Sequence, residues 1–470
     1  MKKLYILFLI TATFANAQQI NFTKTYFPGL YADVRGIAQT PDCGFLVAGL
    51  DKTSTDTVGD MYVMKIDANG NSQWKKYYGL PKEDGGNDII LCNDGGFIVS
   101  GHTNNLGDEC DMYLIRGDVT GNTIWSKQLG GFYDDIAITS IEIPDGNFIT
   151  LGNTENYGAT NLDFMLARMD KNGNEIFVKT IGTEKRDFAK CMIRTSDNSL
   201  ILGGSSYNNS TMEYSMTLIK CDLNGNILWT NNNYNSLESN GIYSILESPQ
   251  HNLYCIGRKY SADNGMQGYV ACLNLNGDVI WEKEFGSKLY DAFTDACILA
   301  SGSIYCVGET CNFGDEQGDI MVVKMDYLGN FTAPHLYGTK NIKDEARTVV
   351  VCSDGGLVIG GQSNITAGTY EALVIKTGVW ASGINDFTFS NSAVYAYPNP
   401  FSDKVNFSTY YDASSTKELK IFDAKGQVVC SHLFSQPFLK LELNMLQNGV
   451  YYYQVSDKGA ILKSERMIKQ

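Results

Sequence analysis

The chain has 470 residues, a formal net charge of −15, 47 glycines and 28 tyrosines but only nine prolines. That length excludes one ordinary compact core unless repetition builds it, and the glycine–tyrosine balance favours short strands joined by turns over helices. The acidic charge repels phosphate backbones and excludes nucleic acid as partner.

The opening MKKLYILFLITATFANAQQ reads as a secretory signal peptide at 1–17, with Lys2 and Lys3 before an apolar run and Ala15-Asn16-Ala17 as cleavage site. The run is shorter than the roughly 20 residues that span a bilayer, so the mature chain is expected to carry no transmembrane segment. Losing the two lysines takes the formal charge from −15 to −17, because the segment holds no acid.

Residues 18–380 repeat with a period of about 52 residues. A turn glycine recurs at Gly70, Gly121, Gly173, Gly225, Gly277 and Gly329, with Gly378 as the equivalent place near the end. A second glycine, closing the strand upstream, recurs at Gly49, Gly101, Gly152, Gly204, Gly257, Gly308 and Gly361. Each copy reads as four strands. In copy two these are Asp88 to Cys92, Phe97 to Gly101, Met112 to Arg116, and a fourth carrying Trp125 and running to Gly130. Asp-Gly and Asn-Gly between them suit tight hairpins, which need positive φ. Trp74, Trp125, Trp229 and Trp281, with Phe177 in copy three, recur in phase and are expected to pack between copies.

The seventh copy stops after its third strand, Ala372 to Lys376. Residues 20–27 resemble Ser72 to Tyr78, with Phe22 where Trp74 stands, and supply the missing strand. The expectation is an all-β fold: a closed seven-bladed β-propeller, then a small immunoglobulin-like β-sandwich. The repeats resemble secreted bacterial propeller-like repeat proteins and, loosely, kelch and quinoprotein propellers. The full kelch pattern and the sialidase Ser-x-Asp-x-Gly-x-Thr-Trp box are absent, so the resemblance implies a fold and no activity.

The period breaks after Val379, and 381–392 reads as a linker. From 393 to 470, Tyr397-Pro398-Asn399-Pro400-Phe401, Ile421-Phe422-Asp423 with Gly426, and Gly449 followed by Val450-Tyr451-Tyr452 are similar to a type IX secretion sorting domain. The resemblance implies recognition by the type IX machinery of an outer membrane, then release or attachment at the cell surface, as a Gram-negative exported protein.

Alternate turns of a blade share one end of its sheet, so the tight glycine turns face one way and the longer loops the other. Acids recur on the long-loop face. Asp60, Asp111, Asp163, Asp319 and Glu371 precede third strands, while Asp33, Asp84, Asp135, Asp187, Asp291 and Asp344 mark the junctions between copies. They read either as an acidic funnel for cations or a basic partner, or as a repeated brace accepting backbone N–H bonds. Ser215 and Gly268 take the acid's place in copies four and five. The Asp-x-Asn-Gly-Asn turns offer a weak calcium reading without a complete ligand set; otherwise no cofactor or metal is expected. His102, His251, His335 and His432 occupy unrelated places, and no hydrolase or nucleotide-binding motif occurs. Cys297 and Cys306 are expected to face each other across one hairpin, with buried free thiols for most of the twelve cysteines. The functional expectation is a monomeric, non-catalytic module binding an extracellular protein or glycan; the alternative is a carboxylate-based glycan-degrading enzyme.

Overall fold

The computed structural model describes residues 20–52, 59–104, 109–159, 161–236, 240–261, 263–286, 289–299, 302–311, 318–338, 342–366, 369–378, 394–397, 403–409, 416–434, 438–458 and 460–469. The signal peptide, the linker 381–392 and Pro398, Asn399, Pro400 and Phe401 lie outside the described residues. Within them every regular element is a β-strand.

Copy one pairs Tyr31–Gln39, Phe45–Lys52, Asp60–Ile66 and Ser72–Tyr78 antiparallel in chain order. Copies two to six repeat that order. In copy seven Asp344–Val351, Leu357–Thr366 and Thr369–Thr377 are completed by Ile20–Tyr26, which lies antiparallel on the third strand. Phe22 stands opposite Lys376 as Trp74 stands opposite Lys65, so the terminal strand takes the fourth-strand register. Tyr31 bridges Tyr370, and Ala32, Val34 and Ile37 share one core with Cys352, Val358, Ala372 and Val374. Copy seven thus packs on copy one, while each other first strand packs on the next.

The second and third strands are buried along almost their whole length, as sheets covered on both faces must be. Between copies, the fourth-strand aromatic lies on the tight turn of the next copy. Trp74 covers Gly121, where φ is +83° and the ring leaves no room for a Cβ. Trp125 covers Gly173, Trp229 covers Gly277, Trp281 covers Gly329, and Phe22 covers Gly70. The indoles of Trp125 and Trp229 also donate to the Lys171 and Leu275 carbonyls at 3.1 Å.

Each first strand carries a β-bulge at the same place, with Arg35, Asn87, Ile138, Lys190, Tyr243, Thr294 and Arg347 as the unpaired residues. A bulge crowds the facing strand with a carbonyl, and there the second recurrent glycine sits. A Cβ at Gly101 would collide with the Gly85 carbonyl, and one at Gly308 with that of Ala292. Bulge and glycine are therefore one device, repeated in every copy.

The structure corrects several sequence expectations. The second glycine lies inside its strand, which continues to Thr103 in copy two, and the first strand starts at Asp84 because the bulge extends its pairing. Gly378 follows Thr377, the register equivalent of Ile66, and so stands where Asp67 does, not at the turn glycine. In copies four and five the expected long loops are extended hairpins, with Asn208 paired to Glu213 and Ser261 to Gly265. Cys306 stands opposite Ala296, and Cys297 opposite Tyr305, so the two thiols point to opposite faces and cannot pair. All twelve cysteines are free.

In the C-terminal region, Val394–Tyr397, Lys404–Thr409 and Phe438–Glu442 form one sheet. A second runs Val428–Phe434, Lys417–Phe422, Gly449–Asp457, Ala460–Lys469. Val405 and Phe407 of the first share a core with Leu419, Ile421, Tyr453 and Val455 of the second, and Phe407 meets Tyr453 edge-on at 5.2 Å. Tyr451 of the sorting motif donates its hydroxyl to the Gln447 carbonyl at 2.8 Å.

Gly308→Ala is expected to destabilise the repeat domain by roughly 1–3 kcal/mol, since a methyl group must displace backbone and not a side-chain tip. Urea-induced unfolding followed by tryptophan fluorescence measures the loss.

Candidate functional site

The recurrent acids form rows across the long-loop end of each sheet. Asp84, Asp135, Asp187, Asp291 and Asp344 are buried, at 0–2 % exposure, and stand opposite Thr103, Thr154, Ser206, Thr310 and Ser363. On the other side these hydroxyl residues face Asp111, Asp163, Ser215, Asp319 and Glu371 of the third strand. Thr310 donates to Asp291 at 2.6 Å, the Leu80 amide to Asp84 at 2.8 Å, and the Thr183 amide to Asp187 at 2.6 Å. Asn156 donates to Asp135, and Gln128 to Asp111, each at 2.6–2.7 Å. The backbone amides of Asp84, Asp135, Asp187 and Asp344 also reach back to the preceding copy, as from Asp135 to the Cys110 carbonyl at 2.7 Å. These carboxylates hold loops and join copies, while Oδ1 of Asp84 and of Asp135 is buried without a hydrogen-bond partner. The hydroxyl partner was present in the sequence as a Thr or Ser two residues beyond Gly101, Gly152, Gly204, Gly308 and Gly361, with Asp51 and Lys259 in that place in copies one and five, a signal that strand pairing makes meaningful.

Two assignments change with the register. Asp33 pairs with Leu50, so it corresponds to Gly85 and not to Asp84; Ala32 holds the junction place in copy one. In copy five Gln267, paired with Lys259, replaces the acid, and Gly268 stands one residue later. Asp60 pairs with Asp51, whose carboxylate accepts from the Tyr77 hydroxyl at 2.5 Å.

The shift turns Asp33 toward the axis enclosed by the first strands, where the bulge side chains also gather. Arg35 donates to Asp33 at 2.8 Å and to Asn87 at 3.0 Å, and Asn87 to the Ala137 carbonyl at 2.9 Å. Thr294 donates to the Ala346 carbonyl at 2.8 Å. Below them Asp88 accepts from Thr139 at 2.6 Å and from the Ile89 amide, while Asp295 accepts from the Val349 and Ala296 amides. Burial holds the pKa of Asp88 up to about 6 and raises that of Asp295.

Above this neck, between copies five and seven, lies a cavity of about 650 Å³ lined by Arg258, Tyr290, Thr294, Glu309, Lys343, Glu345 and Arg347, among others. Here the copies differ most. Arg258 occupies the place held by His102, Asn153 and Ser205, donates to the Tyr290 hydroxyl at 3.1 Å and lies over the Tyr243 ring at 5.0 Å. Lys343 contacts Glu345 and stands 3.4 Å from Glu309. Burial opposes its charge, yet the two carboxylates hold its pKa above the ordinary lysine value. Burial also pushes the Glu309 carboxyl up, against the pull of Lys343. Sequence reasoning missed these residues because each occurs once, while the search followed what recurs.

Other candidate chemistry is accounted for. In the Asp67 to Asn71 turn, both carboxylate oxygens of Asp67 are taken by the turn itself, from the Asn69 and Asn71 amides and the Asn71 side chain. This hairpin closure explains the motif without calcium. Ser196, His251 and Glu247 lie within hydrogen-bond reach, but Ser196 and Glu247 both meet Nδ1 of the ring, so no relay through the imidazole exists. Burial, with Arg35 and Lys52 nearby, lowers His102 to about 4 and keeps it neutral.

Residues 395–470 match the family of secretion system C-terminal sorting domains. The domain places the protein in the type IX pathway, outside the cell or on its outer surface. Among the described residues no helix is long and apolar enough to cross a membrane. A comparison with curated proteins finds no match. Similar solved structures include the β-propeller domain of the Trilobed protease from Pyrococcus furiosus, at 10 % identity over 76 % of this chain and 98 % of that one, with a TM-score of 0.42. The Neurospora crassa Pan2 WD40 domain gives 12 % identity over 74 % and 90 %, TM-score 0.47, and Sqt1 from Chaetomium thermophilum 13 % over 78 % and 100 %, TM-score 0.45. The successive four-stranded antiparallel sheets of this chain are of propeller type, and its sorting domain marks it for secretion through the type IX pathway.

Burial raises the folded pKa of Asp135 to about 6, above its unfolded value near 3.9. The stability this group contributes is therefore present below pH 4 and lost as pH rises through 6. Asp135→Asn, which cannot ionise, is expected to gain on the order of 2 kcal/mol relative to wild type between pH 4 and pH 7. Thermal melts of both proteins across that range give the difference.

Proposed function

We propose that this protein is a non-catalytic extracellular binding module: a seven-bladed propeller (residues 18–380) whose ligand enters the axial cavity on the long-loop face. A signal peptide at 1–17 takes it across the inner membrane. An immunoglobulin-like sorting domain at 393–470, joined by the linker 381–392, takes it through the outer one. The observation that carries the binding reading is the contrast between the two sets of charged residues. The junction acids are buried as braces, whereas Arg258, Tyr290, Glu309, Lys343 and Arg347 converge on one cavity of about 650 Å³. That volume lies in the usual range for ligand sites, and such sites combine aromatic surface with a few placed polar groups.

Glu309 and Glu345, both against Lys343, give the alternative of a carboxylate-based glycan-cleaving enzyme its one support. The two readings separate in a screen of extracellular polysaccharides and peptides against the purified protein. Retention without product is expected, weakened about tenfold by Tyr290→Ala and unaffected by Asp135→Asn. Product formation that disappears in Glu309→Gln would replace this reading with the enzymatic one.

Export is tested by deleting residues 392–470. The truncated protein is expected to accumulate in the periplasm; finding it in the medium regardless would defeat the sorting assignment.

A further inference from the structure

The sorting domain has a partner to meet, and the two faces of its second sheet are unlike. One face is covered: Leu419, Ile421, Tyr453, Val455 and Met467 point into the core shared with Val405 and Phe407 of the first sheet. Strand alternation turns the residues between them the other way. Along most of that outer face they are polar, as a solvated sheet face requires. Glu418 and Lys420 pair with each other at 2.9 Å, Ser431 and Gln454 flank Lys420, and Ser464 stands opposite Gln454. At the end beside the Asp423 to Gln427 turn the pattern changes. Val428 stands opposite Phe422 and Phe422 opposite Tyr452, while Val450 stands opposite Ile468. Val428, Val450 and Tyr452 are 52 %, 39 % and 46 % exposed, and Phe422 and Ile468 are half-buried. The exposed Arg466 borders them, opposite Tyr452. An apolar band thus crosses all four strands of the sheet.

Folding does not call for this band. The motif segments build the frame with their inward residues: Ile421 is fully buried, and Tyr451, 8 % exposed, donates to the Gln447 carbonyl. Phe422, Val450 and Tyr452 of the same segments face outward, where the core gains nothing from them. Single apolar residues on a surface are ordinary, but a connected row marks a surface that another molecule covers. The family match gives the occupant's class, because a domain that sorts its chain for secretion must be held by a protein of the export machinery. Resting on that sorting assignment, we propose that Phe422, Val428, Val450, Tyr452 and Ile468 are the docking surface for that protein, which meets them with an apolar surface of its own. Tyr452 lies between Phe422 and Val450 and is the anchor, a rigid ring with one polar tip. The motif then has two layers, an inward one that shapes the domain and an outward one that is read.

Substitutions in the full chain, made in cells that export it and followed by fractionation into periplasm, cell surface and medium, test this. Tyr452→Ser and Val428→Ser are each expected to lower the exported fraction at least about fivefold, with the protein held in the periplasm. Tyr452→Phe, which keeps the ring, is expected to be exported as wild type. So is Leu433→Ser, which removes a 67 % exposed apolar residue at the opposite end of the same face. Melting temperatures of the purified variants are expected to match wild type, which separates a lost contact from a lost fold; if Tyr452→Ser folds poorly, Val428→Ser decides. Normal export of both Ser variants, while the chain without residues 392–470 stays in the periplasm, overturns the docking surface and leaves the sorting assignment standing. An equal loss in Leu433→Ser overturns it as well. If the Ser variants are exported normally but lose a dimer seen for wild type in size-exclusion chromatography, the band belongs to a second copy of the chain and the inference falls. Export without residues 392–470 defeats the sorting assignment itself.

Discussion

The structure depends on the pairing of a bulge with a glycine. On each first strand one residue is squeezed out of the ladder, and the carbonyl before it is driven toward the second strand. Only a residue without a side chain can lie there, so the glycine recurs seven times. The bulge also bends the strand, which turns a sheet into a wedge around an axis. The same step frees one side chain per copy from pairing and delivers it to that axis. Architecture and site therefore have a single cause, and changing the side chain on the bulge alters the site without touching the frame.

The frame is insulated from the site by the use made of its charges. Aspartates at the junctions sit buried against Thr or Ser hydroxyls, and cations such as Lys65, Arg116, Lys220 and Lys376 lie buried with their tips on the exposed aspartate of the neighbouring turn. Pairs of this kind add little net energy, but they fix the register of one hairpin against the next. What departs from the repeat is a small group of residues on copies five to seven. The asymmetry of the ring is concentrated there.

Much of this was legible in the sequence because it repeats. The four strands, the aromatic at each fourth strand, and the replacement of a missing strand by residues 20–26 follow from period and spacing alone. The bulge was not legible, because one extra residue does not disturb a 52-residue period. Asp33 was misplaced by one residue and therefore by one face of the sheet, because its partner Leu50 aligns with His102, the partner of Gly85. Separate one-residue slips set Cys297 against Cys306, on the turn side of the bulge, and Gly268 where Gln267 belongs, on a third strand. The cavity was invisible for a different reason. Arg258 belongs to copy five and Lys343 and Arg347 to copy seven, and only the packing of successive copies brings them together.

Closure itself has a consequence for biogenesis. The strand that completes the last sheet precedes every other strand of the repeat region, and its partner, Thr369–Thr377, is among the last parts of that region. An interrupted chain thus holds an unmatched strand at one end and an open edge at the other, both ready to pair with foreign strands. The sorting domain follows within a few tens of residues of the point where the ring shuts. A chain long enough to carry its sorting domain is therefore already long enough to pair both ends of the repeat region.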